Sequence, residues 1–274
     1  MRLSRLVMLS LGTVAMIACG SDNVTTPKFP PLSSVRFINA LSDTGAVDIH
    51  AVDQIEFSPV ANRLGYREAT VYQNTEAGVR TFRVFLTSTN ITVTSKVMAE
   101  ASVTLPENTR ITLLLTGSAR AGTIRLWVIN DDTQPPPTGQ IGVRMINAAT
   151  GQVNGYLVAD AADPLPGSPT FTGVLPLAPS AYVNRAAGAA ALQVTDVGSS
   201  SATALSGPAA PATLPGALPA AGVNSAGTKF SAYYFPASVP GSAAPQTALF
   251  LVPAIIWYVD RNPCDAPAVA GCTL

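Results

Sequence analysis

The phrase "VRFINA" at Val35–Ala40 returns as "VRMINA" at Val143–Ala148, changed only where Phe37 becomes Met145. An internal repeat at a domain's spacing constrains the fold more than any single motif, because whatever one copy builds the other should build as well. After the first copy, Val47, Ile49 and Ala51 alternate with Asp48 and His50. Further on, Phe82, Val84 and Leu86 flank Arg83, Ile111, Leu113 and Leu115 interleave with Arg110 and Thr112, and Ile124, Leu126 and Val128 follow the same rule. A period of two marks half-buried strands. Turn-forming stretches separate these runs: "NTEAG" at 74–78, "LPENT" at 105–109 and "GSARAG" at 117–122. Short strands joined by short turns predict an antiparallel β-sandwich or barrel.

The second copy keeps the order of landmarks. Tyr72-x-Asn74-x-x-Ala77-Gly78 is echoed by Tyr182-x-Asn184-x-x-Ala187-Gly188, and "RLWVIND" at 125–131 by "IIWYVDR" at 255–261. Between the copies lies "DDTQPPPTGQ", whose prolines favour a stiff, extended spacer. The expected architecture is therefore all-β, with two tandem antiparallel immunoglobulin-like β-sandwich domains at 34–133 and 141–262 and a Pro-rich linker at 134–140. The second domain carries an Ala/Pro/Gly/Ser insert at 199–222, which has too little side chain to offset the entropy of ordering and is expected to be a mobile loop. "TALFLVPAIIWYVD" at 247–260 is too short to span a bilayer and reads as a buried terminal strand bent at Pro253.

Charge excludes some partners. Only 12% of residues are charged, acids and bases balance, and no basic run exists to follow a phosphate backbone, so nucleic acid is not an expected partner.

The N-terminus supplies an address. Arg2 and Arg5 precede an uncharged apolar run from Leu6 to Ala18, the layout of a secretory signal peptide over residues 1–18. Met16-Ile17-Ala18-Cys19 resembles the bacterial lipobox, with Met16 in place of the usual Leu. The resemblance implies cleavage before Cys19 and lipidation of its thiol, after which the polar, Pro-bearing stretch 19–33 serves as a tether. Each buried methylene contributes about 0.8 kcal/mol and two chains anchor stably, so the membrane becomes a partner through the lipid without being spanned. Gly20 favours the outer membrane or cell surface of a bacterial envelope over the inner membrane. Two cysteines remain, Cys264 and Cys272, in the 263–274 tail. A close pair in an exported chain reads as a disulfide, free thiols or a metal pair being the rival readings.

"VRFINALSDTGAVDIHAV", the Tyr-x-Asn-x-x-Ala-Gly turn and "WVINDD" together resemble the bacterial domain of unknown function 4397. The resemblance spans Val35–Asp132 well and Val143–Asp260 more loosely, with Asn154 where the first copy has Asp48. It implies exported β-domains, often in tandem on lipoproteins, and brings no catalytic residues with it.

Chemistry is sparse. His50 is the single His and stands on a strand with no nucleophile at a useful spacing, so no Ser-His-Asp apparatus is expected. Asp43, Asp48 and Asp53 are close in sequence without converging, and Asp131 and Asp132 read as turn residues at a strand end. Trp127 and Trp257 sit at matching places in the two copies. Core packing is the favoured reading for them, and stacking on a glycan ring the weaker one. No catalytic residue, metal or cofactor is expected. The function expected is a non-catalytic binding, adhesive or structural role, with an envelope protein or a glycan as ligand. A carboxylate-using hydrolase or a carbohydrate-binding module at the domain junction is the alternative.

Overall fold

In the computed structural model, residues 29–53, 60–206 and 222–263 are described. The expected signal peptide at 1–18, Cys19, Cys264 and Cys272 lie outside them. The first repeat forms β1 (Leu32–Asn39), β2 (Val47–Ala51), β3 (Ala61–Leu64), β4 (Gln73–Glu76), β5 (Gly78–Leu86), the one-turn α1 (Ile91–Thr94), β6 (Val97–Leu105), β7 (Arg110–Thr116) and β8 (Arg125–Asp131). The second forms β9 (Gln140–Asn147), β10 (Val153–Val158), β11 (Phe171–Val174), β12 (Val183–Ala186), β13 (Ala191–Asp196), β14 (Ala204–Leu205), β15 (Lys229–Phe235) and β16 (Ala254–Arg261).

The sheets repeat strand for strand. Order β4-β1-β7-β8 faces β3-β2-β5-β6 in the first repeat, and β12-β9-β15-β16 faces β11-β10-β13-β14 in the second. The fold is all-β and immunoglobulin-like, as the alternation predicts, with one departure from a purely antiparallel arrangement. β1 runs parallel to β7 and β9 parallel to β15. Period-two reasoning cannot see this, because side chains alternate between faces in both kinds of ladder.

Each sandwich buries its own core. Val35, Phe37, Ile49, Val84, Ile111 and Leu113 pack in the first, and Val143, Met145, Leu192, Val194, Phe230 and Trp257 in the second. Volumes trade across the copies: where the first has Phe37 beside Ile49, the second has Met145 beside Gly155, whose missing Cβ would stand 2.5 Å from the Met145 sulfur. Gly117 turns the chain at φ +105°, where an added Cβ would meet the Thr123 carbonyl oxygen at 2.2 Å.

Two expectations about the second repeat need correction. Part of the 199–222 insert is ordered: Ala204–Leu205 pairs with β13, Ala204 is buried, and Ser206 reaches into the core. Sequence reasoning missed it because an Ala-rich strand carries no periodic signal; residues 207–221 lie outside the described residues. The stretch 247–260 is not one buried strand. β16 begins only after Pro253, and Leu249, Leu251 and Val252 before it are exposed. Proline lacks the N–H that a ladder needs, so the strand starts beyond it.

A third apolar cluster joins the repeats. Ile38, Tyr66, Leu114 and Ile129 from the first meet Ile146, Tyr233, Phe235 and Tyr258 from the second. From Pro31 onward the chain is accordingly one compact unit. The Pro-rich linker does not hold the sandwiches apart.

Candidate functional site

The landmarks of the repeat converge on this junction. Within "VRFINA" the alternation sends Val35 and Phe37 into the sandwich core, and Arg36 and Ile38 out of the opposite face of the sheet. Arg144 and Ile146 do the same in the second copy. A charged side chain in an otherwise apolar strand must find partners if its face is covered, and both faces here are covered by the other repeat. Arg36 is 1% exposed and Arg144 4%.

The partners are supplied crosswise. Arg36 donates from Nη2 to Asp260 Oδ1 at 2.5 Å, from Nη1 to the Val259 carbonyl at 2.9 Å, and from Nε to Thr112 Oγ1 at 2.7 Å. Arg144 donates from Nη2 to Asp131 Oδ1, from Nη1 to the Asn130 carbonyl at 2.9 Å, and from Nε to Ser231 Oγ at 2.7 Å. The far carboxylate oxygens are filled too. Asp131 Oδ2 accepts from Tyr72 at 2.7 Å and Thr112 at 2.6 Å, while Asp260 Oδ2 accepts from Tyr182 at 2.6 Å and Ser231 at 2.5 Å. Each guanidinium also lies over its own repeat's tyrosine, 4.7 Å from the Tyr72 centroid and 4.8 Å from that of Tyr182.

Two arginines thus neutralise two aspartates out of contact with water. Burial, the largest influence, raises the Asp131 carboxyl above the usual carboxylate range, with Arg36 pulling it down and Asp260 adding to the rise. The folded chain therefore takes up this proton more readily than the unfolded one, so in that window stability falls as pH rises. Burial opposes the charge on Arg36 as well, but Tyr72, Asp260 and Asp131 outweigh it and leave its pKa raised. Burial likewise raises Tyr72 and Tyr182 well above the ordinary phenol value, and both serve as donors.

Two readings of the residues change here. Asp131 is not a turn residue but one pole of the junction, whereas Asp132 does cap a turn, accepting from the Gln134 amide at 2.8 Å, and also pairs with Lys229. The two tryptophans do not occupy matching places. Trp127 pairs with Leu114 and Trp257 with Ala232, while β1 sets Leu114 opposite Ile38 and β9 sets Ala232 opposite Met145. The offset of one residue puts them on opposite faces. Trp127 packs half-buried against the junction, and Trp257 is 2% exposed in the second core, edge-on to Phe230, its indole N–H donating to Ser206 Oγ at 3.2 Å. The structure does not bring them together. What aligns the strand ends is Asp131 with Asp260, not Trp with Trp: Ile111 pairs with Asn130 and its counterpart Phe230 with Val259, so the residues that follow are the two aspartates, and the register shift at Lys229/Phe230 then sets Arg261 opposite Lys229.

The remaining candidates stay dispersed. Asp48 accepts from the Arg63 amide at 2.7 Å, and Asn154 accepts from the Gly173 amide at 2.8 Å at the equivalent bend. Asp53 pairs with Arg80 at 3.2 Å, and His50 stacks edge-on to Phe85 at 5.3 Å. Among the described residues no three His, Cys, Asp or Glu side chains gather as metal ligands. Asp43 organises the 117–122 loop, accepting from Ser118 Oγ at 2.6 Å and from the amides of Ala119 and Arg120 at 3.0 and 3.1 Å. Burial works against its charge, but these donors win and hold its carboxyl below the usual range. The stability it contributes is present above the unfolded carboxylate value of about 3.9 and is lost as pH falls through the lower folded value. Asp43→Asn should lower stability at pH 7 by roughly 1–3 kcal/mol, and urea titrations from pH 7 to pH 3 should show the gap from wild type closing toward the acid end.

Sequence reasoning also missed Arg67. Left-handed at φ 65° and 7% exposed, it donates to the carbonyls of Pro236, Leu249 and Val252 at 2.6, 2.9 and 2.6 Å. One guanidinium of the first repeat thereby shapes the β15–β16 loop of the second, at the end of the sandwiches opposite Leu32. Leu249 is 79% exposed on that loop. Only a knowledge of which loop crosses the junction would have found it.

The fold and this filled junction define an all-β tandem-sandwich protein whose buried carboxylates are held by its own side chains. Residues 33–156, the first repeat together with β9 and most of β10, match the family model described as a domain of unknown function, DUF4397. No curated protein matches the chain. Among the solved structures that bear a distant likeness to it are the following three. One, described as alpha-glucan binding by a streptococcal virulence factor, has 12% identity and a TM-score of 0.21 over 62% of this chain and 83% of that one. A glycogen-degrading pneumococcal virulence factor has 12% identity and a TM-score of 0.21 over 61% and 18%. Family 41 carbohydrate-binding modules from streptococcal virulence factors have 9% identity and a TM-score of 0.19 over 64% and 88%. Likeness at this level carries no argument about a ligand.

Proposed function

We propose that the protein is a lipid-anchored component of a bacterial envelope with a non-catalytic binding or structural role, its two sandwiches acting as one rigid block. The observation that carries the reading is the state of the junction carboxylates. The side chains of Asp131 and Asp260 are 0% exposed, and hydroxyl and guanidinium groups of the protein itself occupy both oxygens of each. A hydrolase needs its acid and base to reach a substrate oxygen or a water, so the carboxylate-using alternative loses its best-placed residues. The Arg67-held loop, with Leu249, Leu251 and Val252 outward, supports a binding role. An envelope protein or a glycan is the partner class this reading admits.

The address rests on Arg2, Arg5, the Leu6–Ala18 run and Cys19. Radiolabelled palmitate should enter the wild-type chain expressed in a bacterial host and be absent from Cys19→Ser, which should leave the membrane fraction. Label missing from the wild type would remove the anchor. Catalysis has its own test: the Cys19→Ser chain should not turn over glycoside or ester substrates. Turnover abolished by Asp131→Asn or Asp260→Asn in a chain that remains folded would replace the reading with the hydrolase.

A further inference from the structure

Exchanging the names of the two repeats leaves the central arginine and aspartate contacts of the junction unchanged. Arg36 to Asp260 becomes Arg144 to Asp131, Arg36 to Thr112 becomes Arg144 to Ser231, and both of the latter bonds measure 2.7 Å. Both arginine-to-carbonyl bonds across the junction measure 2.9 Å. Each face contributes one arginine and one aspartate to a reciprocal pair, which is the signature of an isologous, self-complementary surface. Nothing in this charge pattern distinguishes the second half of the same chain from that of another copy.

The apolar part does discriminate between kinds of repeat. Leu114 and Ile129 on the first face stand where the second has Tyr233 and Tyr258. Two first faces together would leave unfilled the space that two phenol rings occupy. Two second faces would force four rings into it, and both mismatches are costly. Tyr258 also donates across the junction to the Arg67 carbonyl at 2.9 Å, a bond that requires one face of each kind.

We infer that the face of β1, β7 and β8 is a recognition surface whose fitting partner is the tyrosine-bearing face of a second repeat of this kind, supplied equally by its own chain or by another copy. In the intact chain the linker keeps the second repeat at high effective concentration, so the intramolecular pairing wins. A lone repeat of the same design would seek another.

The test uses the full-length Cys19→Ser chain with a site-specific protease sequence inserted between Gln134 and Pro135. After cutting, the two pieces should elute together at the uncut mass, and a labelled second piece from a separate preparation should exchange into the complex. Pieces that separate on cutting while each keeps its strand circular dichroism would overturn the inference without any mutation. Arg36→Asp should drive the cut pieces apart, and adding Asp260→Arg should restore co-elution; failure of the paired reversal to restore what the single reversal breaks would count against the reciprocal pairing. Tyr233→Leu with Tyr258→Ile should raise the dissociation constant of the cut complex by about tenfold or more, a cost of about 1.4 kcal/mol or above. An unchanged constant would remove the role given to bulk.

Discussion

Replacing Arg36 by Ala should lower the folding free energy by roughly 3–5 kcal/mol, and Arg144→Ala should cost about the same. Either change leaves a carboxylate buried without its cation, together with a carbonyl and a hydroxyl that lose a donor. Leaving a buried charge uncompensated is far more expensive than deleting a pair outright. Arg36→Met combined with Asp260→Leu should therefore recover a substantial part of the loss. The comparison that makes the effect specific is Arg83→Ala, whose partner Glu100 lies in solvent and whose removal should change stability by about 0.5 kcal/mol or less. Urea titrations of the four variants would measure all of this. Equal costs for Arg36 and Arg83 would show that the junction charges do not hold the halves together.

Trp257→Ala should cost roughly 3–5 kcal/mol, the range for emptying a large aromatic from a packed core. Trp257 sits among Phe230, Ala232 and Ile255, and its N–H donates to Ser206 Oγ. Trp127→Ala should cost clearly less, since that ring is only partly buried. Acrylamide should accordingly quench the tryptophan left in Trp257→Ala more readily than the one left in Trp127→Ala. Equal stability losses and equal quenching would mean that the two rings share one environment, contrary to the offset in register.

The alternation of apolar residues made most of the fold legible. β2, β5, β7 and β8 fall where period two puts them, and the repeat carries each to a counterpart in the second half. What escaped was information the alternation does not contain. The parallel pairing of β1 with β7 depends on which strand closes against which, and β14 is an Ala-rich pair of residues made into a strand by its neighbour. The junction was half legible. Arg36 and Arg144 are visibly out of place in "VRFINA" and "VRMINA", and a charge between apolar neighbours on a strand asks what covers it. The answer requires Asp131 and Asp260, and aligning the strands by their conspicuous tryptophans shifts the second aspartate by one place and hides the correspondence. The tyrosine of Tyr-x-Asn-x-x-Ala-Gly was legible as a turn landmark but not as the donor to Asp131 or Asp260, since its reach is set by how β4 and β12 dock at the sheet edge.

The balance of two positive and two negative groups inside the junction bears on where such a protein can work. Small ions weaken attraction between charges they can surround, with a screening distance of about 3 Å in molar salt. Arg36, Arg144, Asp131 and Asp260 are nearly or wholly sealed from the medium, and as a group they present no net charge for dissolved ions to gather around. An exterior that swings between dilute and briny conditions would leave the joint between the two halves equally firm in both.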